Sequence, residues 1–170
     1  MKLSAYGPLS RFGLFIAAAV MVADQATKFL VLQLVGWQTG ATVRMTPFLD
    51  IAVVLNRGVS YGLFPQDSDA GRWMLTAVKL FAALLFIIWL ARAHSRLVAA
   101  SLGLLVGGAL GNAIDRTVYG AVVDFISLHV AGWNWYVFNL ADTAVVAGVV
   151  GLLYDAAFGS ATKSPPSAST

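Results

Sequence analysis

Long apolar runs separated by polar stretches predict four membrane-spanning helices. Each run is close to the roughly 20 residues that a helix needs to cross a bilayer. The runs cover residues 12–35, 73–91, 97–114 and 137–158. The spans are expected to be helical, because hydrocarbon offers no hydrogen-bond partner to an open backbone.

Two loops, residues 36–72 and 115–136, separate these spans on one side of the membrane. Within them, segments 48–55 and 122–130 are rich in β-branched and aromatic residues, which favour strands. The predicted fold is therefore an all-α membrane protein with four transmembrane helices and a small extracytoplasmic β-sheet. An interfacial belt of aromatic side chains is expected beside the loops. It comprises Trp37, Trp73, Trp133, Trp135 and Tyr136.

The chain is predicted to form a single integral membrane domain, residues 1–159. Residues 160–170 contain two prolines and no apolar pattern, so we expect a disordered cytoplasmic tail. A cleavable signal peptide is the alternative for the first span, because a basic start precedes Ala17, Ala18 and Ala19. Cleavage there would leave only a short apolar core, so a permanent helix is expected.

The positions of the basic residues predict that both termini are cytoplasmic. Five cations share one side if the four spans alternate, and the positive-inside rule assigns that side to the cytoplasm. They are Lys2, Arg11, Arg92, Arg96 and Lys163. The asymmetry is modest because the other side also carries four arginines: Arg44, Arg57, Arg72 and Arg116.

The composition argues against an ordinary water-soluble enzyme, since 59% of residues are apolar and 11% are charged. Soluble domains have about 25% charged residues. The net charge of +3 is small and scattered, so no nucleic-acid partner is expected. A chain with no cysteine has no disulfide or thiol nucleophile, and two histidines leave few metal ligands. We therefore expect no metal site.

Polar residues at the span ends indicate a functional site, because an ionisable residue inside a span costs roughly 2.5–3.5 kcal/mol. In the first span, Lys28 lies one turn from Asp24 and is suited to pair with it. The other polar residues at the same outer depth are Asn112, Asp115, Arg116, Asp124, Asn139 and Asp142. Three spans and one loop thus supply polar groups to a single level near the outer interface.

Asp124 and Asp142 are the candidate catalytic pair at that level. Two carboxylates held close cannot both ionise easily, so one keeps a proton while the other can activate a water. For either aspartate alone, the competing interpretation is a helix cap or an ion pair with Arg116. Lys79 could extend to the interface and receives no role.

Other features have structural interpretations. Asp155 is expected to be structural near the cytoplasmic exit of the last span, and His129 an ordinary strand residue. Small residues at four-residue spacing in the third span favour close helix packing. They are Ala99, Gly103, Gly107 and Gly111.

Two other functions remain open at this point. A small proton-coupled membrane transporter could relay protons through Asp24, Asp115 and Asp142, but it should place acids at several depths and often contains an internal repeat. A non-enzymatic membrane subunit would leave the buried aspartates without a purpose. The single depth and the lack of a repeat favour an enzyme.

Five motifs in this order resemble those of the bacterial lipoprotein signal peptidases, the signal peptidase II family. They are DQATK from Asp24, NRGVSYG from Asn56, GGALGNAIDR from Gly107, VVDF from Val122 and FNLADT from Phe138. The resemblance implies an intramembrane aspartyl endopeptidase with Asp124 and Asp142 as its catalytic dyad. It would cleave signal peptides from prolipoproteins on the N-terminal side of a cysteine that carries diacylglycerol.

The same resemblance implies the supporting residues and partners, and it implies no cofactor. Residues that frame the dyad or contact the substrate would be Asp24, Lys28, Asn56, Gly58, Asn112, Asp115, Arg116 and Asn139. The partners would be diacylglyceryl-modified prolipoproteins and membrane lipids, and the enzyme would act as a monomer in the bacterial inner membrane, with its active site near the outer, periplasmic face. Three positions depart from the family pattern: Arg57, Tyr61 and Thr143.

Overall fold

The structure, a computed structural model, describes residues 7–58, 69–93, 95–130 and 132–159. Lys2, Tyr61, Lys163 and the tail 160–170 lie outside the described residues. Within them are four helices long and apolar enough to cross a membrane. These helices are α1 (Ser10–Val35), α2 (Asp69–Leu90), α3 (Arg96–Tyr119) and α4 (Leu140–Phe158). The predicted fold of four apolar helices with a small sheet is confirmed.

The helix bounds differ from the predicted spans where polar residues are buried in protein. Helix α3 continues past residue 114, because Asp115 and Arg116 contact protein rather than lipid. It ends at Tyr119 and is followed by the cap residue Gly120, whose φ is 74°. Helix α4 begins at Leu140 rather than residue 137, because Phe138 still pairs with Ile126 in the sheet. Helix α2 begins at Asp69, before the predicted residue 73.

The sheet has four antiparallel strands in chain order. They are β1 (Thr42–Thr46), β2 (Leu49–Asn56), β3 (Val122–Val130) and β4 (Trp133–Asn134). The two predicted strand segments correspond to β2 and β3. Strand β1 was not predicted, because its residues are polar or exposed and carry little hydrophobic signal. The register places Asn56 opposite Val122 and Val54 opposite Asp124, so the end of β2 lies beside the start of β3.

Helix α3 is the central helix and contacts the other three. Its glycines make this possible, because the backbones approach closely where there is no side chain. A Cβ at Gly107 would lie 2.6 Å from the Ala17 carbonyl oxygen of α1, and one at Gly108 would lie 2.5 Å from the Ala141 carbonyl oxygen of α4. The small residues of α3 therefore set the helix spacing, as their pattern indicated, and they bring α1 and α4 together at one end of the bundle.

Candidate active site

One hydrogen-bonded network contains all ten residues singled out in the sequence. Three helices and two strand ends supply them, and the hydrogen bonds and ion pairs described below connect every member. They are Asp24, Lys28, Asn56, Gly58, Asn112, Asp115, Arg116, Asp124, Asn139 and Asp142. The network is largely shielded from water, since the exposed fraction of Asp24, Asp115 and Asn139 is 0%.

The base of the network is an ammonium shared by two carboxylates. Lys28 Nζ lies 2.7 Å from Asp24 Oδ2 and 2.7 Å from Asp115 Oδ2, and it donates to Asn112 Oδ1 at 3.2 Å. The predicted Asp24–Lys28 pair is therefore confirmed, and Asp115 is a second partner that the sequence did not reveal. A buried charge is tolerated when it is paired and hydrogen-bonded on all sides.

Backbone groups complete this base and connect it to the other elements. Asp24 Oδ1 accepts from the Ala141 amide at 3.0 Å, and Asp115 Oδ2 accepts from the Val123 amide at 3.1 Å. Ala141 precedes Asp142 in α4, and Val123 precedes Asp124 in β3. The base thus fixes the backbone adjacent to both members of the candidate pair.

Gln25 belongs to the network, although its sequence position received no role. Its Nε2 donates to Asp115 Oδ1 at 2.8 Å and to the Gly111 carbonyl at 3.1 Å. Its polarity could have indicated this role, because an amide side chain in an apolar span needs a hydrogen-bond partner, as an ion does. Gly111 is required here for space, since a Cβ would lie 2.5 Å from Asp24 Oδ2.

Asn139 contacts both candidate catalytic carboxylates. As the N-cap of α4 it accepts from the Asp142 amide at 2.9 Å through Oδ1, while its own amide donates to Asp142 Oδ2 at 3.3 Å. This reciprocal capping box fixes the first turn of the helix. Its Nδ2 also donates to Asp124 Oδ1 at 2.6 Å. One residue therefore contacts both carboxylates, Asp124 through its side chain and Asp142 through its backbone amide.

Two further asparagines hold the outer oxygens of the pair. Asn112 Nδ2 donates to Asp142 Oδ1 at 2.9 Å, and Asn56 Nδ2 donates to Asp124 Oδ2 at 3.0 Å. Asn56 Nδ2 also donates to the Tyr136 hydroxyl at 2.9 Å. Tyr136, one of the residues of the predicted aromatic belt, therefore also has its hydroxyl engaged in the site. Exposed Trp37, Trp73, Trp133 and Trp135 remain compatible with such a belt.

Burial, and after it the neighbouring charge of Asp142, raise the pKa of Asp124 to about 7. The hydrogen bonds from Asn56 and Asn139 oppose this rise without cancelling it. Asp124 has an exposed fraction of 1%, whereas Asp142 is half-buried. Near neutral pH Asp124 can therefore carry a proton, as one member of a carboxylate pair must for acid–base catalysis.

Arg116 lies beside the pair without closing an ion pair on it. Its Nη2 donates to the Gly58 carbonyl at 2.8 Å, and Gly58 is held in turn by Asn56 Oδ1 at 3.0 Å. Among the described residues, the buried Nε and Nη1 of Arg116 have no hydrogen-bond partner. The interpretation of the aspartates as ion-pair partners of Arg116 is therefore not supported, and two donors stay available for another ligand.

Two other titratable residues lie outside the network. His129 Nδ1 is 3.7 Å from Asp50 Oδ2 on the sheet, and Asp155 accepts from Ser95 Oγ at 3.3 Å near the opposite end of the bundle. Both fit the structural roles expected for His129 and Asp155. Within the described ranges, no group of three His, Asp or Glu side chains is arranged to hold a metal ion.

The chain is similar to a known family over most of its length. The model of the family described as signal peptidase (SPase) II matches residues 16–158. A lipoprotein signal peptidase of Methylobacterium sp. (strain 4-46) is 55% identical over 143 residues, covering 84% of this chain and 87% of that protein. The lipoprotein signal peptidase of Nitrobacter hamburgensis is 51% identical, covering 85% of this chain and 91% of that protein.

Solved structures agree with these matches. A bacterial membrane enzyme superimposes with a TM-score of 0.76 at 27% identity, covering 96% of this chain and 97% of that chain. A second bacterial membrane enzyme gives a TM-score of 0.71 at 29% identity and covers 89% of this chain. The chain therefore belongs to the signal peptidase II family and is a multi-pass membrane peptidase.

Proposed function

We propose that the chain is an intramembrane aspartyl endopeptidase that removes signal peptides from prolipoproteins. The bond cut would be the one on the N-terminal side of the diacylglyceryl-modified cysteine. The observation that carries this proposal is that Asn139 contacts the carboxylates of both Asp124 and Asp142, which come from different elements, while burial raises the pKa of Asp124 to about 7. The family's printed description and the names of the curated relatives support the substrate class.

The environments of the two carboxylates suggest their roles. Asp124 is the more deeply buried and has the raised pKa, so it would act as the acid, and the half-buried Asp142 would act as the base. Asp142 would take a proton from a water, whose oxygen attacks the peptide carbonyl carbon as Asp124 gives its proton to the carbonyl oxygen. A tetrahedral diol results. When its carbon–nitrogen bond breaks, the nitrogen takes the proton from Asp142 and one diol hydroxyl returns its proton to Asp124.

The remaining residues would support this chemistry. Lys28, Asp24 and Asp115 hold the backbone on which the dyad sits, and Asn56 and Asn112 orient the carboxylate oxygens. The two donors of Arg116 without partners among the described residues are suited to bind a carbonyl or ester oxygen of the substrate. Substrate binding there would satisfy atoms that otherwise remain buried without a hydrogen bond.

We place the enzyme in the bacterial inner membrane as a monomer, with both termini in the cytoplasm and the site near the outer face. A substrate with acyl chains and a membrane-embedded signal helix can reach a cleft at that depth from the lipid phase. The polar network supplies water and hydrogen bonds where hydrocarbon would leave the peptide bond protected.

The direct test is cleavage of a lipidated prolipoprotein by the purified protein in detergent. Asp124→Asn and Asp142→Asn should each lower the rate by roughly 100- to 10,000-fold or more, because an amide keeps the shape but cannot transfer the proton. Product size on a gel and the mass of the new N-terminal cysteine measure the outcome. Substrate lacking the diacylglyceryl group should remain uncut.

Two aspartates outside the network provide matched controls. Asp50→Asn changes the same sheet as Asp124, and Asp155→Asn changes the same helix as Asp142, so both should retain the wild-type rate. Retention of substantial activity in either dyad variant would remove that residue from the catalytic role. Absence of cleavage together with proton-driven solute uptake in vesicles would favour the transporter.

A further inference from the structure

Helix α2 directs one cation toward the centre of the bundle. The buried residues Thr76, Ala83 and Leu90 recur at heptad spacing and form the face that packs on α3. Lys79 lies one turn from both Thr76 and Ala83, so it belongs to this face, and it is half-buried. The flanking Val78 and Leu80 are exposed on the side that lipid would cover. A lysine serving only to reach the interface has no reason to occupy this face.

The charged surroundings of Lys79 are the candidate active site. Its electrostatic neighbours are Arg116 and Lys28, which repel it, and Asp142 and Asp124, which attract it. In the part of the chain that the structure describes, the ammonium makes no hydrogen bond and no ion pair. Lys79 therefore lies within electrostatic range of the dyad without a direct contact in the described residues, on a helix that supplies no member of the network.

The formal charges of the site balance only when the charge of Lys79 is included. Four carboxylates, those of Asp24, Asp115, Asp124 and Asp142, face two cations, Lys28 and Arg116. With one proton on the dyad the cluster still carries a single negative charge, and Lys79 neutralises it. Uncompensated charge in a poorly solvated region is costly, so a neutral cluster favours the singly protonated dyad over the doubly protonated one.

We infer that Lys79 is a positioning residue that keeps the Asp124–Asp142 pair in its singly protonated, reactive state. This inference rests on the proposed function. Other titratable or charged groups facing the pair are Asp24 and Lys28 from α1, Asp115 and Arg116 from α3, and the Tyr136 hydroxyl after β4. Each of these contacts a member of the network, whereas Lys79 contributes through its charge.

Replacing Lys79 with a neutral residue should move the pH dependence of cleavage upward. Loss of a nearby positive charge disfavours the carboxylate form, so the pKa of Asp124 rises and both limbs of the kcat/KM profile follow. An opposite charge in contact shifts a pKa by roughly 1–3 units, so Lys79→Met should displace the limbs by about 0.5–1 pH unit. On the acidic limb this corresponds to a roughly 3- to 10-fold lower rate.

The experiment compares Lys79→Met and Lys79→Gln with Lys79→Arg, which retains the charge. Arg92→Met is the matched control, because it removes one cation at the far, exposed end of α2. The two neutral variants should shift the profile with KM nearly unchanged, and the arginine variant should restore it. Wild-type profiles in both neutral variants, or an equal shift in Lys79→Arg, would overturn the inference.

A second readout separates this inference from the proposed function. Infrared difference spectra, with Asp124→Asn as the reference, follow the titration of the Asp124 carboxyl whether or not the protein cleaves. An upward shift in Lys79→Met alongside an inactive wild-type protein would contradict the peptidase chemistry and still support the electrostatic role. An unshifted titration alongside active cleavage would reject the role of Lys79 and leave the proposed function intact.

Discussion

Lys28 has two carboxylate partners, and this sharing determines which substitutions the site tolerates. Removing Asp24 leaves the ammonium with Asp115 at 2.7 Å and Asn112 at 3.2 Å. Removing Lys28 leaves two carboxylates in a buried region with no cation between them. Breaking a buried pair by deleting one partner costs about 3–5 kcal/mol, because the remaining charge is uncompensated. The lysine is thus the more sensitive member.

Lys28→Met should therefore lower thermal stability in detergent more than Asp24→Asn, and both should lower cleavage. Unfolding followed by tryptophan fluorescence measures the first effect, and the prolipoprotein assay measures the second. Asp142→Asn should lower activity with little change in stability, because the Asn side-chain oxygen can still accept from Asn112 and the backbone amide at position 142 still donates to Asn139 Oδ1. Equal melting temperatures for Lys28→Met and Asp142→Asn would contradict the structural role assigned to Lys28.

At the scale of elements, α3 positions the site by allowing close approach on two sides. Gly107 faces α1 and Gly108 faces α4, so the helices that supply Asp24 and Asp142 are brought to the same level. Gly111 extends this stripe into the site, where the missing side chain leaves room for the Asp24 carboxylate. The packing stripe and the polar network are therefore continuous along one helix.

Gly111→Ala should displace Asp24 and weaken its bonds to Lys28 and Ala141. Because the new Cβ would lie 2.5 Å from Oδ2 of the fully buried Asp24, we expect a loss of roughly 1–3 kcal/mol in stability and a fall in cleavage rate. Ala77→Val adds bulk on the exposed face of α2 and serves as the control. Wild-type melting and activity in Gly111→Ala would show that the close approach is not required.

At the scale of the whole molecule, the sheet and the site occupy one end of the helix bundle. Strand β3 carries Asp124 into the site, and the capping Asn139 follows directly after the segment that pairs with β3. The short link after α2, with exposed Arg92, lies at the other end of that helix. The proposed orientation places the sheet outside and this link in the cytoplasm.

Single cysteines in this cysteine-free chain can test the orientation. In intact spheroplasts an impermeant thiol reagent should label Thr42→Cys in the exposed strand β1, while Arg92→Cys should react only after permeabilisation. Both positions are exposed, so accessibility within the protein does not explain a difference between them. The reverse labelling pattern would invert the proposed topology.

The sequence by itself determined the features that depend on local composition. Hydropathy over a window predicts four spans, because crossing a bilayer is a property of each segment alone. The depth of a polar residue also follows from its place within a span, so the level shared by Asp24, Asn112 and Asp142 was predictable. The five motifs and their order also predicted the family, and the match to the signal peptidase II model confirmed it.

Only the tertiary structure decided which groups meet at that depth. The partnership of Lys28 with Asp115, the bonds of Gln25 Nε2 to Gly111 and Asp115, and the bond from Asn56 to the Tyr136 hydroxyl each join residues far apart in the chain. These contacts depend on how closely α1, α3 and α4 pack together and on the register of β2 against β3. Neither is encoded in a local pattern. For the same reason, Lys79 had no assignable direction until the packing of α2 on α3 turned it toward the carboxylates.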